Sequence, residues 1–368
     1  MKILDIDKDV LLRPLQAVSG IVERRHTLPI LSNVMLQIQG TDLNLVATDL
    51  EIQVSTSARL DKSAADHAVT VSARKLQDIL RALPDNTPVS LDAQEGRLQV
   101  RAGKSRFNLQ TLPAQDFPRL SEGGVATASV KLPQTKLRHL LSLVQYGMAQ
   151  QDIRYYLNGL LLVAEGTQLT LVATDGHRLA YASTTLADEV ARSEVIIPRK
   201  AILELAKLLQ DTQEEVEIQL LPNQVRFIFA GIDVISKVVD GKFPDYTRVI
   251  PTNYKKHFAV GRLPLQQALQ RAAILSNEKF RGVRWVLTPN SLRIICTNAE
   301  QEEAEDELIV DYAGEPLDIG FNIVYLLDVL NNLDAEEVDC AVGDANSSML
   351  MSVPGNKDFK YVVMPMRI

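Results

Sequence analysis

The segment Leu171–Ala180, LVATDGHRLA, places an aspartate, a histidine and an arginine within four consecutive residues. Asp175 can orient the imidazole of His177, and Arg178 can hold an anion, which is the arrangement expected of a hydrolase with a general base. The sequence offers no matching nucleophile, because no serine stands in a GxSxG segment. A polar loop between two strands is the alternative, and the sequence favours that loop over a catalytic centre.

The histidines and cysteines do not suggest a metal site. The five histidines have no metal-ligand spacing and there is no CxxC pair, so we expect neither a metal nor another cofactor. Two cysteines cannot form a disulfide framework, and the opening MKILDIDKDVLL carries acidic residues inside its apolar run, unlike a signal peptide. No apolar stretch approaches the roughly 20 residues of a membrane span. We therefore predict a soluble, cytoplasmic protein.

The polar loop belongs to a repeated pattern. LNLVATD begins at Leu43 and returns as LTLVATD at Leu169, 126 residues later, and a weaker copy, LRIICTN, begins at Leu292. Each copy follows another apolar run (LSNVMLQI, LNGLLLVA and RGVRWVLT), and their alternation predicts two strands joined in a hairpin. His177 has Glu51 and Glu300 at the corresponding positions, so GHRL is special to the second copy.

Helical periodicity repeats at the same interval. Apolar residues at helical spacing predict helices over residues 8–22, 73–83, 134–149, 198–209, 264–276 and 322–332. A period near 125 residues favours three homologous domains, which we place at 1–125, 126–252 and 253–368. Each domain is expected to be α+β, with two helices packed on antiparallel sheet.

Charge is distributed unevenly between these helices and the rest of the chain. The six predicted helices carry eleven Lys or Arg and four Asp or Glu, whereas the whole chain has a net charge of −7. An acidic protein with basic helices can hold a polyanion on one surface and repel it elsewhere. A third hypothesis, besides a hydrolase and a nucleic-acid protein, is an acidic β-scaffold that binds no nucleic acid.

The sequence closely resembles the bacterial DNA polymerase III beta subunit, the sliding clamp family, over its whole length. The segments that carry the resemblance are TLPILSN, SRFNLQTLPAQDFP, QDIRYYLNG, VATDGHRLA, VDGKFPDY, AAILSNEKFRGVR, EQEEAE and YVVMPMR. The resemblance implies a clamp fold that closes as a head-to-tail homodimeric ring around double-stranded DNA. It also implies a processivity factor without its own catalytic centre, whose partners are the polymerase III alpha subunit, the clamp loader, other polymerases and repair proteins.

Three sets of site residues follow from the resemblance. The DNA-facing positions are Arg25, Arg74, Gln151, Tyr155, Tyr156 and Arg199, and Arg24 is an alternative to Arg25. The pocket for partner peptides is expected from Leu157, Thr174, Gly176, His177, Arg178, Leu179, Pro244, Arg248, Val249, Val363, Met364, Pro365 and Met366. The dimer interface is expected from Lys75, Lys104, Arg106, Leu109, Ile274, Leu275, Glu302, Glu303 and Glu305.

Overall fold

The computed structural model describes residues 2–23, 27–121 and 124–367. The chain divides into two compact units, one of Met1–Thr135 with Leu203–Val238 and the other of Lys136–Ile202 with Val239–Ile368. Six α-helices lie within the described ranges, and every strand pairing there is antiparallel. This is the mixed helix and antiparallel-sheet architecture that the sequence predicts.

The first unit contains one ten-stranded sheet and two complete helices. Its elements are β1 (Lys2–Asp7), α1 (Lys8–Ser19), β2 (Asn33–Thr48), β3 (Ile52–Ser72), α2 (Ala73–Ala82), β4 (Pro88–Gln94), β5 (Arg97–Ala102), β6 (Ser105–Leu112), β7 (Ala128–Pro133), β10 (Glu215–Leu220), β11 (Gln224–Phe229) and β12 (Ile232–Lys237). The strand order is β1-β4-β5-β6-β3-β12-β11-β10-β7, with β2 paired to β3.

The second unit contains two sheets and two complete helices, α5 and α6. Two helices, α3 (Gln134–Val144) and α4 (Arg199–Leu208), each include residues of both units. The other elements are β8 (Gly159–Thr174), β9 (Arg178–Pro198), β13 (Lys256–Gly261), α5 (Arg262–Ala273), β14 (Gly282–Thr288), β15 (Ser291–Thr297), β16 (Glu303–Ile309), β17 (Leu317–Asn322), α6 (Ile323–Asn332), β18 (Glu337–Val342), β19 (Met349–Val353) and β20 (Asn356–Val363). The sheets have the orders β13-β18-β19-β20-β9-β8 and β16-β15-β14-β17.

The predicted helices are confirmed, with small differences at their ends. Side-chain caps fix several starts: Asp7 accepts the amide of Asp9, and Asn322 accepts the amide of Val324. The apolar stripes are buried as expected, because α1 hides Leu11, Leu15 and Val18. The predicted helix extends to Val22, but α1 ends at Ser19 and so Val22 lies beyond it. Likewise α3 ends at Val144, where a short 3-10 turn replaces the predicted continuation.

The predicted hairpin occurs in the third copy as two separate strands. There β14 pairs with β15, and Thr288 lies opposite Ser291. In the first two copies the same two runs belong to one long strand, β2 or β8. The register against the neighbouring strand breaks around Gly40 in β2 and around Gly166 in β8. Both glycines have positive φ, 60° and 57°, a conformation that lets the long strand change direction at that point.

Candidate functional site

The GHRL segment forms a tight turn between β8 and β9. The Asp175 carboxylate accepts the backbone amides of His177 and Arg178 through Oδ1, at 2.9 and 3.0 Å. Thr174 donates its hydroxyl to the Arg178 carbonyl at 2.6 Å and accepts the Gly176 amide at 3.1 Å. Short polar side chains commonly organise a turn in this way by bonding to the backbone two or three residues ahead. The turn leaves Gly176 and His177 exposed.

These bonds argue against a catalytic Asp175–His177 pair, because the Asp175 carboxylate is already occupied. Asp175 uses Oδ1 for two backbone amides, and its Oδ2 accepts a hydrogen bond from Nε of Arg178 at 3.2 Å. In the described part of the chain, no hydrogen bond joins the Asp175 carboxylate to the His177 imidazole. Within the same residues no cluster of His, Cys, Asp and Glu could hold a metal ion. The aspartate therefore shapes the turn.

Arg178 is a component of the turn whose guanidinium is enclosed. Its side chain is only 9% exposed, and besides Asp175 it binds Asp328 of α6 at 2.5 Å and the carbonyl of Tyr146 at 2.7 Å. The guanidinium carbon lies 4.3 Å from the centre of the Tyr325 ring, within the range of a cation–π contact. Burial by itself lowers the pKa of Arg178, but Tyr361 and Asp328 outweigh it and raise that pKa above its ordinary value.

The C-terminal segment lies beside this turn. Strand β20 pairs with the start of β9, and Val363 lies opposite Arg178. Beyond the end of β20, the Met364 amide donates to the His177 carbonyl at 2.9 Å, and the Met366 amide donates to the Gly320 carbonyl at 2.9 Å. Met364 is 50% exposed. The apolar side chain of Met364 is thus exposed to solvent beside the turn that carries His177.

An apolar cluster underlies the turn and the C-terminal segment. Its buried members are Leu161, Val163, Val172, Leu179, Ile196, Phe243 and Val362, and Tyr156, Tyr181, Val239, Tyr246, Ile250 and Leu350 pack against them. Leu157, Thr174 and Val363 are also buried. Pro244, Arg248 and Val249 are exposed after the buried Phe243. Of the predicted pocket residues, the structure therefore exposes Gly176, His177, Pro244, Arg248, Val249 and Met364 most fully.

Arg154 belongs to this site and was missed as a pocket residue in the sequence. It donates from Nη2 to the Asp175 carbonyl at 3.2 Å, and its guanidinium is paired with Asp152 at 2.8 Å. The Arg154 hydrogen bonds lower the pKa of Asp152 to about 2. A Cβ added at Gly176 would lie 2.9 Å from Nη1 of Arg154, so glycine at this position makes room for the guanidinium. The available signal was the basic residue in QDIRYYLNG.

The predicted DNA-facing residues differ in their exposure. Arg74 is exposed on α2, and Gln151 is exposed with a φ of 58°. Tyr155 is 57% exposed and contacts Tyr156 edge to face, with ring centres 5.8 Å apart. Tyr156 itself packs against the apolar cluster, and Arg199 donates to the Met148 carbonyl at 2.9 Å. Arg24 and Arg25 lie outside the described residues.

The predicted interface residues lie on or just before strands β6 and β16, on helix α2 and just after helix α5. Strand β16, which carries Glu303 and Glu305, ends the four-stranded sheet, and β6 pairs with β3 only at Thr111 and Leu112. Lys75, Lys104, Arg106, Glu302, Glu303 and Glu305 are exposed, and Ile274 is 77% exposed. Leu275 is half-buried and Leu109 is only 8% exposed, so Leu109 is already covered within the chain.

Two of the predicted interface glutamates at β16 are hydrogen-bonded within the chain, and two apolar side chains outside the predicted set are exposed. Glu305 accepts a hydrogen bond from Nε of Arg293 at 2.6 Å, and Glu302 accepts one from Asn298 at 2.6 Å. Sequence reasoning missed two exposed apolar residues nearby in the chain, Phe280 at 59% and Ile309 at 91% exposure. Period-2 alternation could not identify Ile309, because it marks one face of a strand and does not say whether a sheet covers it.

Three comparisons with known proteins agree over the whole chain. Family models described as the N-terminal, central and C-terminal domains of the DNA polymerase III beta subunit match residues 1–121, 131–245 and 247–367. The beta sliding clamp of Pseudomonas putida is 48% identical over 364 residues, and that of Escherichia coli K12 is 44% identical over 363, each covering 99% of both chains. A solved sliding clamp of Pseudomonas aeruginosa, 47% identical, covers 100% of both chains with a TM-score of 0.96. One from Caulobacter crescentus, 38% identical, also covers 100% of both chains with a TM-score of 0.92.

Proposed function

Because this chain belongs to the DNA polymerase III beta subunit family, the DNA sliding clamps, we propose that two copies close head to tail into a ring that tethers a polymerase to duplex DNA. As a member of this family the chain is a bacterial replication clamp, a processivity factor rather than an enzyme. The observation that carries the proposal is the similarity of all three consecutive domains, at full coverage, to solved clamps. We also propose a cytoplasmic location, which fits the two buried, unpaired cysteines of the described chain.

The contact with DNA is proposed to be weak and independent of sequence. Arg74, Gln151, Tyr155, Tyr156 and Arg199, together with Arg24 or Arg25, are the candidate contacts. Exposed arginine on helices suits phosphate oxygens, which position a protein on DNA without reading its sequence. A net charge of −7 opposes tight binding, so retention depends on the ring encircling the duplex.

Loading the protein on circular and linear DNA tests this mechanism. A clamp loaded on a nicked circle should stay bound after the loader is removed, and cutting that circle once should release it. The cut and uncut DNA have the same sequence and length, so contact strength is matched between them. Equal rates of loss from both forms would contradict topological retention. Protein–DNA association can be followed by gel filtration at moderate salt.

The dimer interface is proposed between the β6 edge of one copy and the β16 edge of the other. Lys75, Lys104 and Arg106 would supply positive charge, and Glu302, Glu303 and Glu305 negative charge, with Ile274 and Leu275 as apolar anchors. Leu109, already buried within its own chain, would stabilise β6 behind them. Such a head-to-tail contact joins two different surfaces, so it must close into a ring or polymerise. Open strand edges suit this pairing because their backbone groups are available to a second strand.

A pair of substitutions tests the interface. Charges at a rim mainly tune the association rate, whereas buried apolar anchors control dissociation. We therefore expect Leu275→Ala to raise the dimer dissociation constant by about tenfold or more, as for an anchor residue, and Lys104→Ala to raise it less. Sedimentation of a dilution series measures both values. The opposite ranking would count against this assignment of anchors and rim.

The turn, the C-terminal segment and the apolar cluster are proposed to form a pocket for short apolar motifs of partner proteins. The partners are the polymerase III alpha subunit, the clamp loader, and other polymerases and repair proteins. The closeness of Met364 to the His177 turn supports the assignment, since the two segments are 187 residues apart in sequence. Methionine is unbranched and polarizable, which suits a pocket that accepts different peptides.

A further inference from the structure

Arg178 is anchored from two directions by separate parts of the second unit. One anchor is local, because Asp175 of the turn accepts from Nε at 3.2 Å. The other comes from α6, where Asp328 accepts from Nη1 at 2.5 Å and the Tyr325 ring lies 4.3 Å from the guanidinium carbon. The Tyr146 carbonyl accepts from Nη2 at 2.7 Å. Each of the three guanidinium nitrogens therefore has an acceptor within the chain.

The aromatic residues around Arg178 are themselves held together. Tyr361 of β20 donates its hydroxyl to the Tyr325 carbonyl at 2.9 Å. The Tyr146 and Tyr361 rings lie 5.8 Å apart. Together these contacts enclose the Arg178 guanidinium. They connect the turn with α6 and with β20, the strand that ends just before Met364. An arginine so enclosed is poorly placed to bind a peptide directly, although it lies in the middle of the predicted pocket.

We propose that Arg178 is a positioning residue of the partner pocket, through which Asp328 and Tyr325 of α6 set the affinity for partner peptides. The proposal rests on the pocket function stated above. The turn gains from an outside anchor because Gly176 has a φ of 89° and no side chain to pack against its neighbours. Arg178 follows His177, whose carbonyl holds the Met364 amide, so movement of Arg178 shifts both exposed walls of the pocket. Peptide binding and the packing of α6 are then linked, and the linkage is reciprocal.

Asp328→Asn tests this inference without altering any residue of the predicted pocket. The change keeps the side-chain shape and removes the charge that pairs with Arg178. We expect a labelled peptide carrying the clamp-binding motif of a polymerase III alpha subunit to bind about tenfold more weakly, a typical size for coupling between sites. Fluorescence anisotropy measures the affinity. The dimer and the far-ultraviolet circular dichroism should be unchanged.

Asp233→Asn is a matched control. Asp233 forms a similar ion pair with Arg226 at 2.6 Å, and its side chain is 26% exposed against 31% for Asp328. It lies on β12, outside all three predicted sets of site residues. Peptide affinity should be unchanged by this substitution. An equal loss of affinity in the two variants would overturn the proposal, because it would reflect a general effect of breaking an ion pair.

A double-mutant cycle separates positioning from a merely structural role. If Arg178 acts through Asp328, then Arg178→Gln should weaken peptide binding much less in the Asp328→Asn background than in the unmodified chain. Strictly additive losses would overturn the proposal, as would unchanged affinity in Asp328→Asn. If Asp328→Asn does not fold, Tyr325→Leu takes its place, since it removes the ring over the guanidinium and should also weaken binding. Absence of peptide binding by the unmodified protein would instead reject the proposed pocket itself.

Discussion

The turns Thr48–Ile52 and Thr174–Arg178 share one backbone pattern but differ in what surrounds them. In the first, Asp49 accepts the amides of Glu51 and Ile52 at 2.9 and 2.7 Å, as Asp175 accepts those of His177 and Arg178. The threonine before each aspartate makes the same pair of backbone bonds. The third repeat has a longer version of this turn, in which Asn298 accepts the amides two and four residues ahead, those of Glu300 and Glu302. The Thr-Asp pair is thus part of the fold.

The differences between the turns lie in their contacts. Leu50 occupies the position of Gly176 with a φ of 77°, so the backbone conformation alone does not require glycine there. In the second turn a Cβ at Gly176 would lie 2.9 Å from Nη1 of Arg154, so a larger residue there would displace that guanidinium. Glu51 pairs with Lys237 at 3.1 Å, whereas the His177 carbonyl holds Met364. The same turn therefore stabilises one repeat and, in our proposal, presents a binding surface in another.

The largest effect is expected from deleting Met364–Ile368, because only the second turn depends on this segment. The deletion removes the partner of the His177 carbonyl and the exposed Met364 side chain. Peptide binding should be abolished, while the protein remains a dimer with a cooperative thermal transition. Fluorescence anisotropy and scanning calorimetry give the two readouts.

A single substitution checks whether that loss has a local cause. Met364→Ala keeps the backbone bond to His177 and removes only the apolar side chain, so it should weaken peptide binding by less than the deletion does. The competing interpretation of residues 364–367 is an ordinary frayed terminus. Unchanged peptide affinity after the deletion would favour that interpretation and remove the segment from the pocket.

The next largest effect is expected when the stability and peptide affinity of Asp49→Ala are compared with those of Asp175→Ala. Each aspartate holds two backbone amides, and each substitution should cost about 2 kcal/mol of stability, as expected for losing hydrogen bonds to a charged group. Asp175→Ala should also weaken peptide binding by about tenfold or more, since Arg178 loses one anchor. Asp49→Ala should leave that affinity unchanged. A loss of affinity in both variants would show that the pocket responds to general destabilisation.

The helices and the repeats were predictable because their causes are local. Spaced apolar residues such as Leu265, Ala268 and Leu269 define one buried stripe of α5, and a capping side chain such as Asn322 marks the start of α6. Helix ends were less predictable, since α5 begins at Arg262, two residues before its predicted start. The long strands through Gly40 and Gly166 were also not foreseen, because a glycine between two apolar runs suits either a hairpin turn or a bend.

The role of Arg178 could not be predicted from its neighbours in sequence. Its main partner, Asp328, stands 150 residues later on the one predicted helix without a basic residue. Nothing in the sequence connects that aspartate with the turn. Leu109 shows the converse limit, because its apolar character suggested an interface anchor but the chain already buries it. Contacts between distant segments decide both cases, and periodicity carries no information about them.

The smallest effect on stability, and the sharpest contrast in function, is expected from Glu51→Ala and His177→Ala. Both side chains are exposed, so neither change should alter stability by more than about 1 kcal/mol. Glu51→Ala removes a surface ion pair with Lys237 and should leave peptide binding intact. His177→Ala removes an imidazole from the proposed pocket and should weaken binding by about tenfold, in the range of a moderate interface residue. Anisotropy titrations of the two variants with the same labelled peptide test whether only the second turn binds the peptide. Equal affinities would mean that the second turn differs from the first only in sequence.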